Sequence, residues 1–165
     1  MRATIMAARE TKILVIGIGN AYRRDDAVGL VIARRLKEEF RDQIQVREES
    51  GEGAALMDLW RNANAVILID AVQTGGTPGM VYRLDARAAS IPSRFFRYST
   101  HAFGVAEAVE LARALGQIAA HLVIYGIEGD SFDTGTELTT AVERVVPEIV
   151  ERIRQEIEVL ASYHL

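Results

Sequence analysis

Apolar residues follow two rhythms along this chain, and the alternation between them predicts its architecture. Ile13 to Ile18 (I-L-V-I-G-I) is a short, β-branched apolar run ending in Gly19-Asn20, which reads as a buried strand followed by a turn. From Ala27 to Phe40 the spacing becomes helical: Val28, Val31, Ile32, Leu36 and Phe40 share one face, with Asp25 or Asp26 placed to cap the start. Ile44 to Arg47 is a weaker strand, and Gly53 to Arg61 a short helix carrying Leu56, Met57 and Trp60. Ala65 to Ile69 (A-V-I-L-I) is the clearest buried strand and is expected to stop at Asp70. The glycines and proline of Gln73 to Gly79 require a loop. Met80 to Leu84 then reads as a strand reached by a connection too short for a parallel crossover, hence antiparallel.

Ser99-Thr100 precedes an apolar-periodic segment, Ala102 to Leu115, which predicts a helix closed by Gly116. Leu122 to Ile127 is another buried strand. From Glu137 onward, Leu138, Val142, Val145, Ile149, Ile153, Ile157 and Leu160 mark one face of a long helix, with a kink or a fresh start expected at Pro147. The elements sum to a three-layer α/β/α domain around a mostly parallel sheet with one antiparallel strand.

Length is consistent with that reading, because 165 residues suit one domain with a real core. Residues 1–11 are expected to form a flexible extension ahead of it. Composition then narrows the chemistry. The chain has no cysteine, which excludes disulfides, thiolate catalysis and cysteine-held zinc. Its only histidines are His101, His121 and His164, so any metal would meet carboxylate oxygen and very little imidazole. The net charge of −4 argues against nucleic acid or an anionic membrane as partner, and the pairs Arg23-Arg24 and Arg34-Arg35 are too short to reverse that. Met1 to Lys12 lacks the apolar stretch and cleavage pattern of a signal peptide, and no apolar run approaches the ~20 residues of a membrane span. A cytoplasmic monomer is expected.

Ligands of open α/β sheets bind outside the carboxyl ends of the parallel strands. That rule selects the stretch from Gly17 to Asp26, then Asp70, then Glu128-Gly129-Asp130, together with the loop carrying His101. Each has a plainer reading. Asp26 is placed like a helix cap, though Asp25 is free to cap while Asp26 points elsewhere. Asp70 reads either as a turn former or as a carboxylate that needs a cation, a donor or water at the end of an apolar strand. His101 reads as a helix-start imidazole, kept neutral by the helix dipole and so in its metal-binding form. His121 and His164 read as non-functional. Two carboxylates and one imidazole together make a plausible metal-binding set with open coordination positions. Gly17-x-Gly19 also allows a nucleotide-binding turn over Gly17–Asn20, with Glu48-Glu49 standing in for a ribose-binding acid. Against it, the third glycine of such a fingerprint would fall on Tyr22, and Ala21 to Asp26 would separate a phosphate from the helix.

Four stretches in order resemble the nickel–iron hydrogenase maturation endopeptidases. They are I-L-V-I-G-I-G-N-A-Y-R-R-D-D-A-V-G, then V-I-L-I-D-A-V with G-G-T-P-G, then S-T-H-A-F-G-V-A-E-A-V, then Y-G-I-E-G-D-S-F-D-T-G-T-E-L-T. The similarity runs from about Thr11 to about Arg154. The resemblance implies a five-stranded α/β/α fold and an aspartyl-type endopeptidase that removes a C-terminal peptide from a hydrogenase large-subunit precursor after nickel insertion. It places the family's metal-contacting residues on Asp26, Asp70 and His101, and nickel is expected to arrive with the precursor, not as a resident cofactor. Nickel would then polarise the scissile carbonyl or activate water, or Asp26 or Asp70 would act as general base. Two departures stand out: many members have Glu at the position of Asp26, and a frequent G-T-x-G segment is here Ser50-Gly51-Glu52-Gly53. A non-catalytic metallochaperone for the same precursor is the alternative from another class.

Overall fold

The computed structural model describes residues 12–96 and 101–163. The expected extension at 1–11, the Ser99-Thr100 cap and His164 lie outside the described residues. Five strands form one sheet: β1 (Ile13–Ile18), β2 (Gln45–Glu49), β3 (Ala65–Val72), β4 (Val81–Asp85) and β5 (His121–Glu128). Four helices flank it: α1 (Val28–Phe40), α2 (Gly53–Trp60), α3 (Val105–Ala114) and α4 (Thr140–Ser162). The strand order is β2-β1-β3-β5-β4, parallel except for β4 against β5.

Alternation along the central strands divides the core in two, because successive side chains leave opposite faces of a pleated sheet. Val15, Ile67, Ile69, Tyr125 and Ile127 pack with Ile32 and Leu36 of α1 and Ile149 and Ile153 of α4. Ile16, Val66, Leu68 and Ile124 pack on the other face with Leu56 and Trp60 of α2 and Val109 of α3. This is the three-layer arrangement expected from the two apolar rhythms. Helix α1 lies unusually close to the sheet. A Cβ on Gly29 would sit 2.2 Å from the Ile69 carbonyl oxygen and 2.6 Å from that of Ile18, so only glycine fits.

Three boundaries differ from expectation. Strand β3 does not stop at Asp70 but runs to Val72, because β5 stays paired beside it as far as Val72↔Glu128. Strand β4 is antiparallel as expected, yet it pairs with β5 and not with β3, its neighbour in sequence. A short loop reports the relative direction of two strands; it does not report that a later strand will insert between them. Helix α4 runs on through Pro147 as one element, so the fresh start expected there as one alternative does not occur. Pro147 is exposed on the outer face, as is Glu143, whose carbonyl loses the helical donor and can turn to water.

Candidate functional site

Strand β1 passes its chain through α1 to β2 on one side, while β3 leads to β4 and β5 on the other. The carboxyl ends of β1 and β3 therefore meet at the point where the strand order reverses, where open α/β sheets leave a crevice. A cleft of about 220 Å³ opens there, and Asp26, Asp70 and His101 all line it. Ladder pairing between β1 and β3 ends at Gly17↔Ile69, so Asp70 is the first residue of β3 past its contact with β1.

Asp26 is half-buried, and one carboxylate oxygen accepts the Asn20 backbone N–H at 3.0 Å. Burial pushes its pKa upward against the opposing pull of Arg23 and of that N–H. Asp70 is 9% exposed. Burial first, and then the negative charge of Asp26, hold its carboxyl well above the usual aspartate range; the Ala71 N–H acts the other way. Two carboxyls with raised proton affinity in one cleft are typical of functional sites. The His101 Nε2 donates to the Ser50 carbonyl at 3.1 Å. A carbonyl only accepts, so Nε2 carries the proton and a neutral ring has its lone pair on Nδ1. Among the described residues no three His, Cys, Asp or Glu side chains are grouped tightly enough to hold a metal ion by themselves.

The capping expectation fails for both adjacent aspartates. Helix α1 is entered from a 3-10 turn over Arg24–Ala27, and no side chain caps it. Asp25 is instead fully buried and accepts four hydrogen bonds, from the backbone of Asp130, Ser131 and Thr139 and from the Thr139 hydroxyl, at 2.7–3.0 Å. It ties the loop after β5 to the segment that carries Asp26. His101 is also displaced from expectation. Helix α3 begins at Val105 with Gly104 as its N-cap, the Gly104 N–H going to Glu107, so His101 lies ahead of the first turn and the helix-dipole argument does not reach it. The loop after β2 bonds it through the Ser50 carbonyl and makes a second contact nearby: the Gly53 N–H donates to the Phe103 carbonyl at 2.8 Å.

Glu128, part of the third place selected by topology, is 1% exposed and does not line the cleft. Its carboxylate accepts the N–H groups of Thr74 and Gly75 and the Thr74 hydroxyl, clamping the loop after β3. The G-x-G turn is likewise occupied by packing, since a Cβ on Gly19 would meet the Asp26 carbonyl oxygen at 1.9 Å. His121 opens β5 and stacks on Tyr163, away from the cleft. Further residues complete the walls: Arg23, Gln73, Phe95, Phe96 and Phe132. Arg23 lies inside the Gly17–Asp26 stretch that topology selects but is singled out there only as half of a basic pair, and the aromatic residues carry no spacing signal at all.

The fold and cleft define a three-layer α/β/α protein with an acid–imidazole site at its topological switch point. The family model for the hydrogenase maturation proteases matches residues 30–156, and the chain belongs to that family. It is 30% identical over 160 residues to the hydrogenase expression/formation protein HupD of Thiocapsa roseopersicina, covering 93% of this chain and 68% of HupD. It is 27% identical to the hydrogenase 2 maturation protease of Escherichia coli (strain K12), covering 86% of this chain and 88% of that protein. Among solved structures, the hydrogenase maturating endopeptidase HybD from E. coli superposes with a TM-score of 0.75 at 22% identity, over 90% of this chain and 93% of that one, which shows the shared fold. No helix among the described residues is long and apolar enough to cross a membrane.

Proposed function

We propose that this chain is an endopeptidase that recognises nickel in the precursor of a nickel–iron hydrogenase large subunit and removes that precursor's C-terminal peptide. The observation that carries the reading is the meeting of Asp26, Asp70 and His101 in one cleft of a hydrogenase-maturation-protease fold. Nickel belongs to the substrate in this reading. Contacts to it from this chain would come from the Asp26 and Asp70 carboxylates and the His101 imidazole, which are not grouped closely enough to hold a metal without the precursor's own ligands; oxygen and imidazole nitrogen suit a divalent first-row metal. Burial keeps bulk water from competing with these contacts and strengthens any charge interaction made at the cleft floor. Of the two carboxyls, Asp26 is the more accessible and the less strongly proton-retaining, which suits it to take a proton from water.

The test is cleavage of purified precursor with and without nickel, read as a mass shift of the large subunit. Nickel-loaded precursor should be cut and nickel-free precursor left whole. Asp26→Asn, Asp70→Asn and His101→Ala should each lower cleavage by ~10²-fold or more while remaining folded. Equal cutting of nickel-free precursor sinks the nickel-recognition reading. Binding of the precursor without any cleavage by the wild-type protein would favour a metallochaperone.

A further inference from the structure

Arg23 is the only lysine or arginine among the described residues that line the cleft, and it stands beside Asp26 closely enough to draw that carboxyl's pKa down. Its placement is unusually fixed for an arginine. The backbone N–H donates to the Asn20 carbonyl, and the residue bridges to Gly135, with Gly135 donating to Tyr22 and accepting from Arg24. Its Nε donates to the Phe132 carbonyl at 3.2 Å. Behind this lacing stands Asp25, which binds the same loop at Asp130, Ser131 and Thr139. Among the described residues Nε is the only side-chain atom of Arg23 that donates a hydrogen bond, so Nη1 and Nη2 remain for a ligand.

We infer that Arg23 is a catalytic residue that holds the carbonyl oxygen of the scissile amide and stabilises the oxyanion formed there. The role rests on the peptidase reading proposed for the cleft. Amide hydrolysis adds a water oxygen to the carbonyl carbon, a carboxylate taking the water's proton, while the C=O π pair moves onto the carbonyl oxygen. When the C–N bond breaks, that pair re-forms C=O, the nitrogen leaves with the bond pair and takes the proton, and acid and amine result. The oxygen therefore gains negative charge only in passing, and preorganised donors aimed at it accelerate the reaction most. A water held by Asp26 touches the carbonyl carbon, whose oxygen lies only ~1.2 Å further on. A donor standing beside the base is in the right place to meet it. An arginine held at Nε, on the wall of the cleft that contains the base, supplies two such donors without reorganising.

Steady-state cleavage of nickel-loaded hydrogenase large-subunit precursor tests this with Arg23→Met, Arg23→Lys and Arg23→Ala, each checked by thermal melting. Arg23→Met should lower kcat by ~10²-fold or more with KM changed less than ~3-fold, and Arg23→Lys should lose less. Ethylguanidinium at tens of millimolar should partly restore kcat to Arg23→Ala, which repair of a folding defect would not do. Unchanged kcat in Arg23→Met, or a rise in KM alone, overturns the role, because the contact is then made equally with the ground state. If Arg23→Met melts early, the rescue decides, and its absence counts against the role. Wild-type protein that fails to cut the precursor refutes the peptidase reading itself; wild-type cutting with an equally active Arg23→Met refutes only the role of Arg23.

Discussion

Replacing Asp25 with asparagine isolates the anchor beneath the site. In the wild type, Oδ2 accepts the Asp130 and Ser131 N–H groups and the Thr139 hydroxyl, while Oδ1 accepts the Thr139 N–H at 2.7 Å. An asparagine keeps its oxygen best at the Oδ2 position, which turns its NH₂ toward the Thr139 N–H. One buried donor then faces another, a cost of about 1–3 kcal/mol, and the remaining bonds lose the strength lent by charge. A total loss of about 3 kcal/mol follows, or roughly 6–12 °C in Tm for a chain of this size. The pH dependence gives a second readout. Although burial raises the Asp25 pKa, its hydrogen bonds from Ser131, Thr139 and Asp130 outweigh this and hold it below the ordinary value of 3.8. A folded pKa below the unfolded one stabilises the native state above 3.8 and ceases to do so as pH falls through the folded value. Urea titration should therefore show a steady gap between wild type and Asp25→Asn from pH 7 to about 5, closing below the aspartate range at ~3.9. Equal stability at pH 7, or a gap that widens in acid, would refute the assigned role of the carboxylate.

Asp70 should behave oppositely, since its folded pKa is raised by burial and by Asp26. The folded protein then loses stability as pH rises from 3.8 through the folded value, so Asp70→Asn should raise Tm by ~2–4 °C or more at pH 8 and by little near pH 4. A destabilised variant at pH 8, measured by calorimetry, contradicts this. Gly29→Ala should destabilise by about 1–3 kcal/mol in urea despite alanine's better helix propensity, because its Cβ would press on the Ile69 and Ile18 carbonyls. A stabilised Gly29→Ala would mean that α1 can ride outward without cost.

Local rhythm makes the elements legible, and its limits explain what stays hidden. The apolar runs at Ile13, Ala65 and Leu122 and the helical spacing from Val28 and Val142 report burial directly, since a central strand covered on both faces has no polar side to show. The partner of β4 depends on where β5 inserts, and nothing in the intervening loop encodes that. The split between Asp25 and Asp26 is similar: the partners of Asp25 lie 105 to 114 residues away, so adjacency in sequence suggests capping where long-range bonding prevails. Apolar periodicity beginning at Ala102 puts His101 at a helix start, but Gly104 is extended and Glu107 satisfies its N–H, which delays the first turn to Val105. The three candidate residues are legible from topology and from resemblance. Their anchors, Asp25, Ser50 and the Arg23–Phe132 contact, depend on the assembled fold.

Those anchors explain why the three side chains can share a cleft at all. Asp26 enters at the head of α1, in the layer that also holds α4, whereas His101 comes from the loop ahead of α3, in the opposite layer. Asp70 belongs to the sheet between them. The site therefore straddles both cores, and no single packing contact fixes its width. Each layer is held to the sheet edge separately: the first by Asp25 bonding the loop after β5, the second by Ser50 and Gly53 bonding the His101–Phe103 stretch, and the sheet end by Glu128 clamping the loop after β3. Because these ties share no residue, loosening one should move one wall of the cleft and leave the other two in place. Defects in Asp25 and in Ser50–Gly53 would then act on the candidate site independently and combine additively in free energy, as expected for sites with no common partner.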